Sequence, residues 1–104
     1  GKGEVELSAD LEEELYGIAQ EALNNALKHA EASQVELSVR VAEGTVILEV
    51  ADDGQGFDHA DTHEKGGLGL ISMQERADKI GGQLTVRSAP GDGTRVYVSA
   101  RSSN

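Results

Sequence analysis

Asp52-Asp53-Gly54-Gln55-Gly56-Phe57, then a polar interval, then Gly66-Gly67-Leu68-Gly69-Leu70: the reading of this stretch decides the fold. An alternating apolar run ends at Asp52 and a helical pattern begins near Leu68, so a strand enters the loop and a helix leaves it. A gap of about 14 residues is long for a small domain, and such loops are lids, binding loops or unstructured segments. Glycine lets main-chain N–H groups approach a ligand because no Cβ intervenes. At the start of a helix those groups sit at the positive end of the helix dipole, where an anion is welcome. Asp52, at the opposite end, is an acceptor. One end accepts hydrogen bonds while the other donates to phosphate, an asymmetry that suits a nucleotide.

Outward from the loop, Val46, Leu48 and Val50 form the return arm of a hairpin that turns at Glu43-Gly44. The first arm alternates Val35, Leu37, Val39 and Val41 with Glu36, Ser38 and Arg40, which predicts one buried and one wet face. Upstream, Asp10 and Glu13 have capping-box spacing, and a helix is expected to about Ala30. Its core face is Leu11, Leu15, Ile18, Ala19, Ala22, Leu23 and Ala26. Before it, Val5 and Leu7 alternate with Glu4 and Glu6 as a short first strand. Beyond the loop a second helix is expected from about Leu68 to Ile80, with Leu70, Met73, Ala77 and Ile80 inward and Gly81-Gly82 as its stop. Leu84 and Val86 mark a strand, Ala89-Pro90-Gly91-Asp92-Gly93 a turn, and Thr94, Val96, Val98 and Ala100 the last strand. The order β-α-β-β-loop-α-β-β predicts an α+β two-layer sandwich, with helices on one face of a mixed, largely antiparallel sheet. Residues 1–104 make one domain at this length.

A formal net charge of −10 argues against a nucleic-acid or anionic-membrane surface. No apolar run approaches the roughly 18 residues of a membrane span, and no signal-peptide pattern opens the chain. The absence of cysteine excludes disulfides and thiolate metal sites and is compatible with a cytoplasmic location. An acidic chain that holds polyphosphate must supply local N–H donors, a basic residue or a divalent cation.

The first helix offers candidates. Glu21, Asn25, Lys28 and His29 form a polar stripe beside its apolar face. Singly, each is as well explained by a solvated helix edge with contacts one turn apart. Asparagine is only a fair helix former, however, and its carboxamide oxygen suits Mg²⁺, which prefers oxygen ligands and keeps waters and substrate phosphates. Lys28 is a point charge for a phosphate. Asp52-x-Gly54-x-Gly56 alone is equally a tight turn. An ionised Asp52, being acceptor-only, would select an exocyclic amine such as adenine carries. Asp53 reads as its solvated neighbour, and His59 and His63 as solvated loop residues without zinc spacing. Together, Lys28, a metal on Asn25 and the N–H groups around Gly67 and Gly69 answer the charge problem.

In this arrangement the chain resembles the catalytic ATP-binding domain of bacterial two-component sensor histidine kinases, within the Bergerat-fold (GHKL) ATPases. Gln20-Glu21-Ala22-Leu23-Asn24-Asn25-Ala26-Leu27-Lys28-His29-Ala30 is similar to that family's N box. The two glycine segments resemble its glycine boxes, and Gly91-x-Gly93-Thr94 its closing hairpin. Met73-x-Glu75-Arg76, with Lys28-His29-Ala30, resembles the nitrate-sensor and fluidity-sensor subfamily. The resemblance implies that Asn25 coordinates Mg²⁺ on the ATP phosphates and that Asp52 reads the adenine amine, with Gly54 and Gly56 making room for the base. It implies that Gly67, Leu68, Gly69 and Leu70 bring the lid and helix start to the phosphates, and that Lys28 and His29 contact phosphate or ribose. Glu21 occupies the position of a proposed general base.

The residues from Phe57 to Gly66 would be the ATP lid. The family's phosphoacceptor histidine lies on an upstream dimerisation helix that this chain does not contain. The resemblance therefore implies a monomeric piece of a longer kinase. It would hold ATP and Mg²⁺ for transfer to a histidine of a separate dimerisation domain, with a response regulator further on. Two alternatives share the fold. One is an ATPase or ATP-gated interaction module like the topoisomerase, mismatch-repair and chaperone relatives; the other is an anti-sigma-factor serine kinase.

Overall fold

The computed structural model describes residues 8–28, 31–56 and 69–102. The expected first strand around Val5, His29, and the interval carrying Phe57, His59, His63, Gly66, Gly67 and Leu68 lie outside the described residues. Among the described residues six elements follow one another: α1 (Ala9–Lys28), β1 (Val35–Ala42), β2 (Thr45–Asp52), α2 (Leu70–Lys79), β3 (Gln83–Ser88) and β4 (Thr94–Arg101). No helix among the described residues is long and apolar enough to cross a membrane.

The cap of α1 lies two residues before the expected one. The Ser8 hydroxyl accepts a hydrogen bond from the Leu11 main-chain N–H at 3.1 Å, so Ser8, not Asp10, is the N-cap. Asp10 and Glu12 occupy the first turn and Lys28 the last, each sign matched to the helix dipole. α2 starts at Leu70, with Gly69 as its N-cap residue. It ends as expected: Gly82 N–H donates to Ala77 O at 2.8 Å and Gly81 N–H to Asp78 O at 3.1 Å, the paired bonds of a Schellman cap.

The strands lie in the order β1-β2-β4-β3. Every pairing among the described residues is antiparallel, so the mixed character expected of the sheet is not seen there. The β1–β2 hairpin turns through Glu43 and Gly44, both at positive φ, a two-residue connection whose twist suits the strands. Both helices cover one face, α1 over β2 and α2 over β3. Between the layers lie Ile18, Met73, Val46 and Val98, all fully buried, with Leu11, Leu15, Leu48, Val50 and Val96 around them.

The expected buried face of β1 is corrected by the structure. Leu37, Val39 and Val41 pair with Val50, Leu48 and Val46 and so share their face of the sheet. Yet they are 47%, 54% and 43% exposed. β1 is an edge strand and projects past the cover of α1. Alternation reported the correct face, but a face is buried only where a second layer reaches it.

Candidate functional site

The chain brings three segments to one end of the sheet. After α1, Ala32 N–H donates back to Ala26 O at 3.2 Å, which turns the chain into β1. β1 starts opposite the end of β2, with Val35 paired to Asp52. Asp53 locks that junction. Its carboxylate accepts from the main-chain N–H groups of Ser33 and Gln34, both at 2.9 Å, and from the Ser33 hydroxyl at 2.6 Å. These bonds, the hydroxyl's first, hold the Asp53 carboxyl below its ordinary 3.8. Asp53 is exposed, as expected, and it also ties the end of β2 to the connection from α1.

Asp52 is half-buried at the last position of β2. Its Oδ1 accepts from Gly54 N–H at 2.8 Å, a turn within the loop that leaves the other carboxylate oxygen uncommitted by that bond. Thr94, opposite it on β4, shares a 2.8 Å hydrogen bond with Ser88, whose hydroxyl also reaches Gly93 O at 2.9 Å. The closing hairpin is stitched to the first glycine segment by Gly91 N–H, which donates to Gln55 O at 2.6 Å. A Cβ on Gly56, whose φ is +68°, would strike the Ala89 and Gly93 carbonyl oxygens. Glycine at 56 is therefore required by the hairpin itself, before any ligand is considered.

Glu21, Asn25 and Lys28 are spaced four and three apart and share one flank of α1. Glu21 and Asn25 are half-buried; Lys28 is exposed. That flank meets the start of α2, where the Glu21 carboxylate occupies the space a Cβ on Gly69 would need. Gly69 has φ +64°, and no side chain caps the helix there. A carboxylate from α1 thus lies against the N-terminal end of α2, with Leu70 as that helix's first residue. His29, Gly67 and Leu68 lie outside the described residues, so the stripe and the second glycine segment are seen only in part.

Among the described residues no group of three or more His, Cys, Asp or Glu gathers as a metal site. One cavity of about 500 Å³ reaches Asp52, lined also by Ser88, Gly93, Thr94, Arg87 and Arg95. It opens beside the uncovered face of the sheet and includes no residue of α1.

One contact joins the two helices in a way that local sequence pattern does not announce. Arg76 of α2 pairs with Glu14 of α1 at 2.9 Å, and its guanidinium lies over Gly17. The signal was Gly17, since glycine inside a helix costs about 1 kcal/mol relative to alanine and calls for a packing reason.

A family model described as histidine kinase-, DNA gyrase B- and HSP90-like ATPase matches residues 10–104. A signal transduction histidine-protein kinase/phosphatase DegS of Brevibacillus brevis is 38% identical over 99 residues, covering 95% of this chain and 25% of the relative. The oxygen sensor histidine kinase NreB of Staphylococcus carnosus is 41% identical over 89 residues, 86% of this chain and 26% of the relative. The chain thus spans about a quarter of the length of these relatives. The blue-light activated histidine kinase of Erythrobacter litoralis superposes with a TM-score of 0.77 at 27% identity, over 91% of this chain and 31% of that one. The ATP binding domain of PrrB from Mycobacterium tuberculosis gives 0.73 at 24%, over 88% and 69%, and bears on the fold alone.

Proposed function

The chain belongs to the histidine kinase-, DNA gyrase B- and HSP90-like ATPase family, and we propose that it binds ATP with Mg²⁺ and presents the γ-phosphoryl to a histidine of a separate dimerisation domain in a two-component sensor kinase. The observation that carries this reading is the contact of the Glu21 carboxylate with Gly69, which brings the polar flank of α1 to the glycine start of α2.

Asp52, held by Gly54 N–H, keeps an acceptor for the adenine amine. Asn25 would lend Mg²⁺ one oxygen, and Mg²⁺ when bound supplies neutralisation of phosphate charge. That donor set fits an ion that arrives on the phosphates and retains its waters. Lys28, with His29, would steady a phosphate or the ribose. The N–H groups from Gly67 to Leu70 would face the phosphate chain. Glu21, beside them, is the proposed proton acceptor for the attacking nitrogen. Phosphoryl transfer rests mainly on positioning and charge neutralisation, which is what such a set provides.

Calorimetric titration with ATP and GTP, with and without Mg²⁺, tests the reading. Asn25→Ala should erase most of the Mg²⁺ dependence of ATP binding. Asp52→Asn should narrow the preference for ATP over GTP, since a carboxamide can also donate to a carbonyl. ATP and GTP binding equally to the wild type would count against the role of Asp52, and no ATP binding at all would remove the proposal.

A further inference from the structure

Two contacts between α1 and α2 stand in one register. Glu14 meets Arg76 at 2.9 Å, and the Glu21 carboxylate abuts Gly69. From 14 to 21 is seven residues forward on α1, and from 76 to 69 is seven residues back on α2. The helices therefore run antiparallel, and the contacts lie two turns apart, about 10.5 Å along each axis. Between them Gly17 and Met73 are both buried, so the helices approach closely there.

The first contact is built unusually for an ion pair that only adds stability. The Arg76 guanidinium lies on the backbone of α1 where a Cβ at residue 17 would fall. Its Nε is buried with no hydrogen-bond partner among the described residues. Burying an unsatisfied donor is unfavourable, and such a group in a folded protein calls for an explanation. The Glu14 side chain is 12% exposed and that of Arg76 35%, so the pair is partly screened from water. A planar fork can lie flat on a glycine and still reach the acid, which an ammonium cannot do.

We infer that Arg76 is a positioning residue: clamped to Glu14 across Gly17, it sets the register of α2 against α1 and so holds Gly69 against the Glu21 carboxylate. The functional part rests on the ATP-site reading above. In that reading the clamp fixes both the acid proposed to take a proton and the helix start proposed to face the phosphates. Loss of the clamp lets α2 shift along α1, and the helix start moves away from Glu21.

The experiment follows the Gly69 amide cross-peak of the ¹⁵N-labelled chain, together with ATP-Mg²⁺ affinity and the thermal midpoint. Arg76→Met and Glu14→Gln should each displace the Gly69 peak, though both changes lie two turns away. Arg76→Met should weaken ATP-Mg²⁺ binding by roughly tenfold, within the range for residues coupled through one network. The exchanged pair Glu14→Arg with Arg76→Glu should bring the peak back toward its wild-type position and recover most of the affinity. Should Arg76→Met fail to fold, Arg76→Lys keeps the charge without the fork and is read in the same way. A lower midpoint with the Gly69 peak and the affinity unmoved would overturn the inference, leaving an ion pair that only stabilises. If the wild type binds no ATP, the functional reading fails, while the Gly69 peak still decides whether Arg76 sets the register.

Discussion

At Asp53 three donors converge on one carboxylate, and all three belong to residues nineteen or twenty positions earlier in the chain. The folded carboxyl lies below its ordinary 3.8, so the folded state favours the ionised form. Its stabilising effect is then complete at neutral pH, above the unfolded value, and is lost as pH falls through the folded value. Asp53→Asn should lower the urea midpoint near pH 7, and the gap to wild type should narrow as the pH falls below 3.8 and through the lower folded value. A gap of constant size across that range would mean that the ionised carboxylate contributes nothing at this junction. Asp52, its neighbour, turns its carboxylate into the loop and accepts from Gly54. The two acids thus divide the work of the strand end, one facing the connection from α1 and the other the glycine segment. The sequence offered an acidic pair before a glycine, and nothing local told which acid would do which, because Ser33 and Gln34 lie on another element.

For the elements, the contrast between β1 and β2 carries a measurable consequence. Val39 and Leu48 are register partners on the same face, yet Val39 is 54% exposed and Leu48 3%. Leu48→Ala should cost about 3 kcal/mol, as buried leucines do, while Val39→Ala should cost less than ~1 kcal/mol because little area is lost from a packed environment. Denaturant titration of both variants checks this, and a Val39→Ala cost equal to that of Leu48→Ala would mean that β1 is covered in solution. The alternation of Val35, Leu37, Val39 and Val41 was legible as a strand, as were both helices, the hairpin turn and the Gly81-Gly82 stop, since each is a local pattern. What was not legible was which edge the helix layer leaves bare, since that depends on the order β1-β2-β4-β3 and on where α1 lies. The cap at Ser8 is masked in the sequence by Asp10 with Glu13, which offers a competing box two residues later. In the site, the stripe Glu21-Asn25-Lys28 could be read from helical spacing. The contact of Glu21 with Gly69 joins residues far apart in sequence and needed the fold.

On the scale of the whole molecule, the proposed function separates holding a phosphoryl donor from receiving its phosphate. The chain has three histidines, His29, His59 and His63. The first follows Lys28 in the sequence and the other two fall between the glycine segments, all within the stretches that the proposed function gives to the nucleotide. In-line transfer needs the attacking nitrogen on the far side of the γ-phosphorus from the leaving oxygen, within about 3–3.5 Å of it. A side chain engaged beside the phosphate chain or the ribose is poorly disposed to reach that side. The acceptor on this reading comes from elsewhere, and Glu21 is the residue proposed to take its proton. We therefore expect the chain, incubated alone with γ-labelled ATP and Mg²⁺, to bind nucleotide and to acquire negligible acid-labile phosphate. Addition of a histidine-bearing dimerisation domain from the same kinase should move label onto that domain, and Glu21→Gln should slow the transfer by about 10²–10⁴-fold if the residue is the proton acceptor. Label on His29, His59 or His63 of the chain alone would contradict the division between donor and acceptor. Steady release of inorganic phosphate without any acceptor, lost in Glu21→Gln, would instead identify water as the nucleophile and turn the assignment from kinase to ATPase.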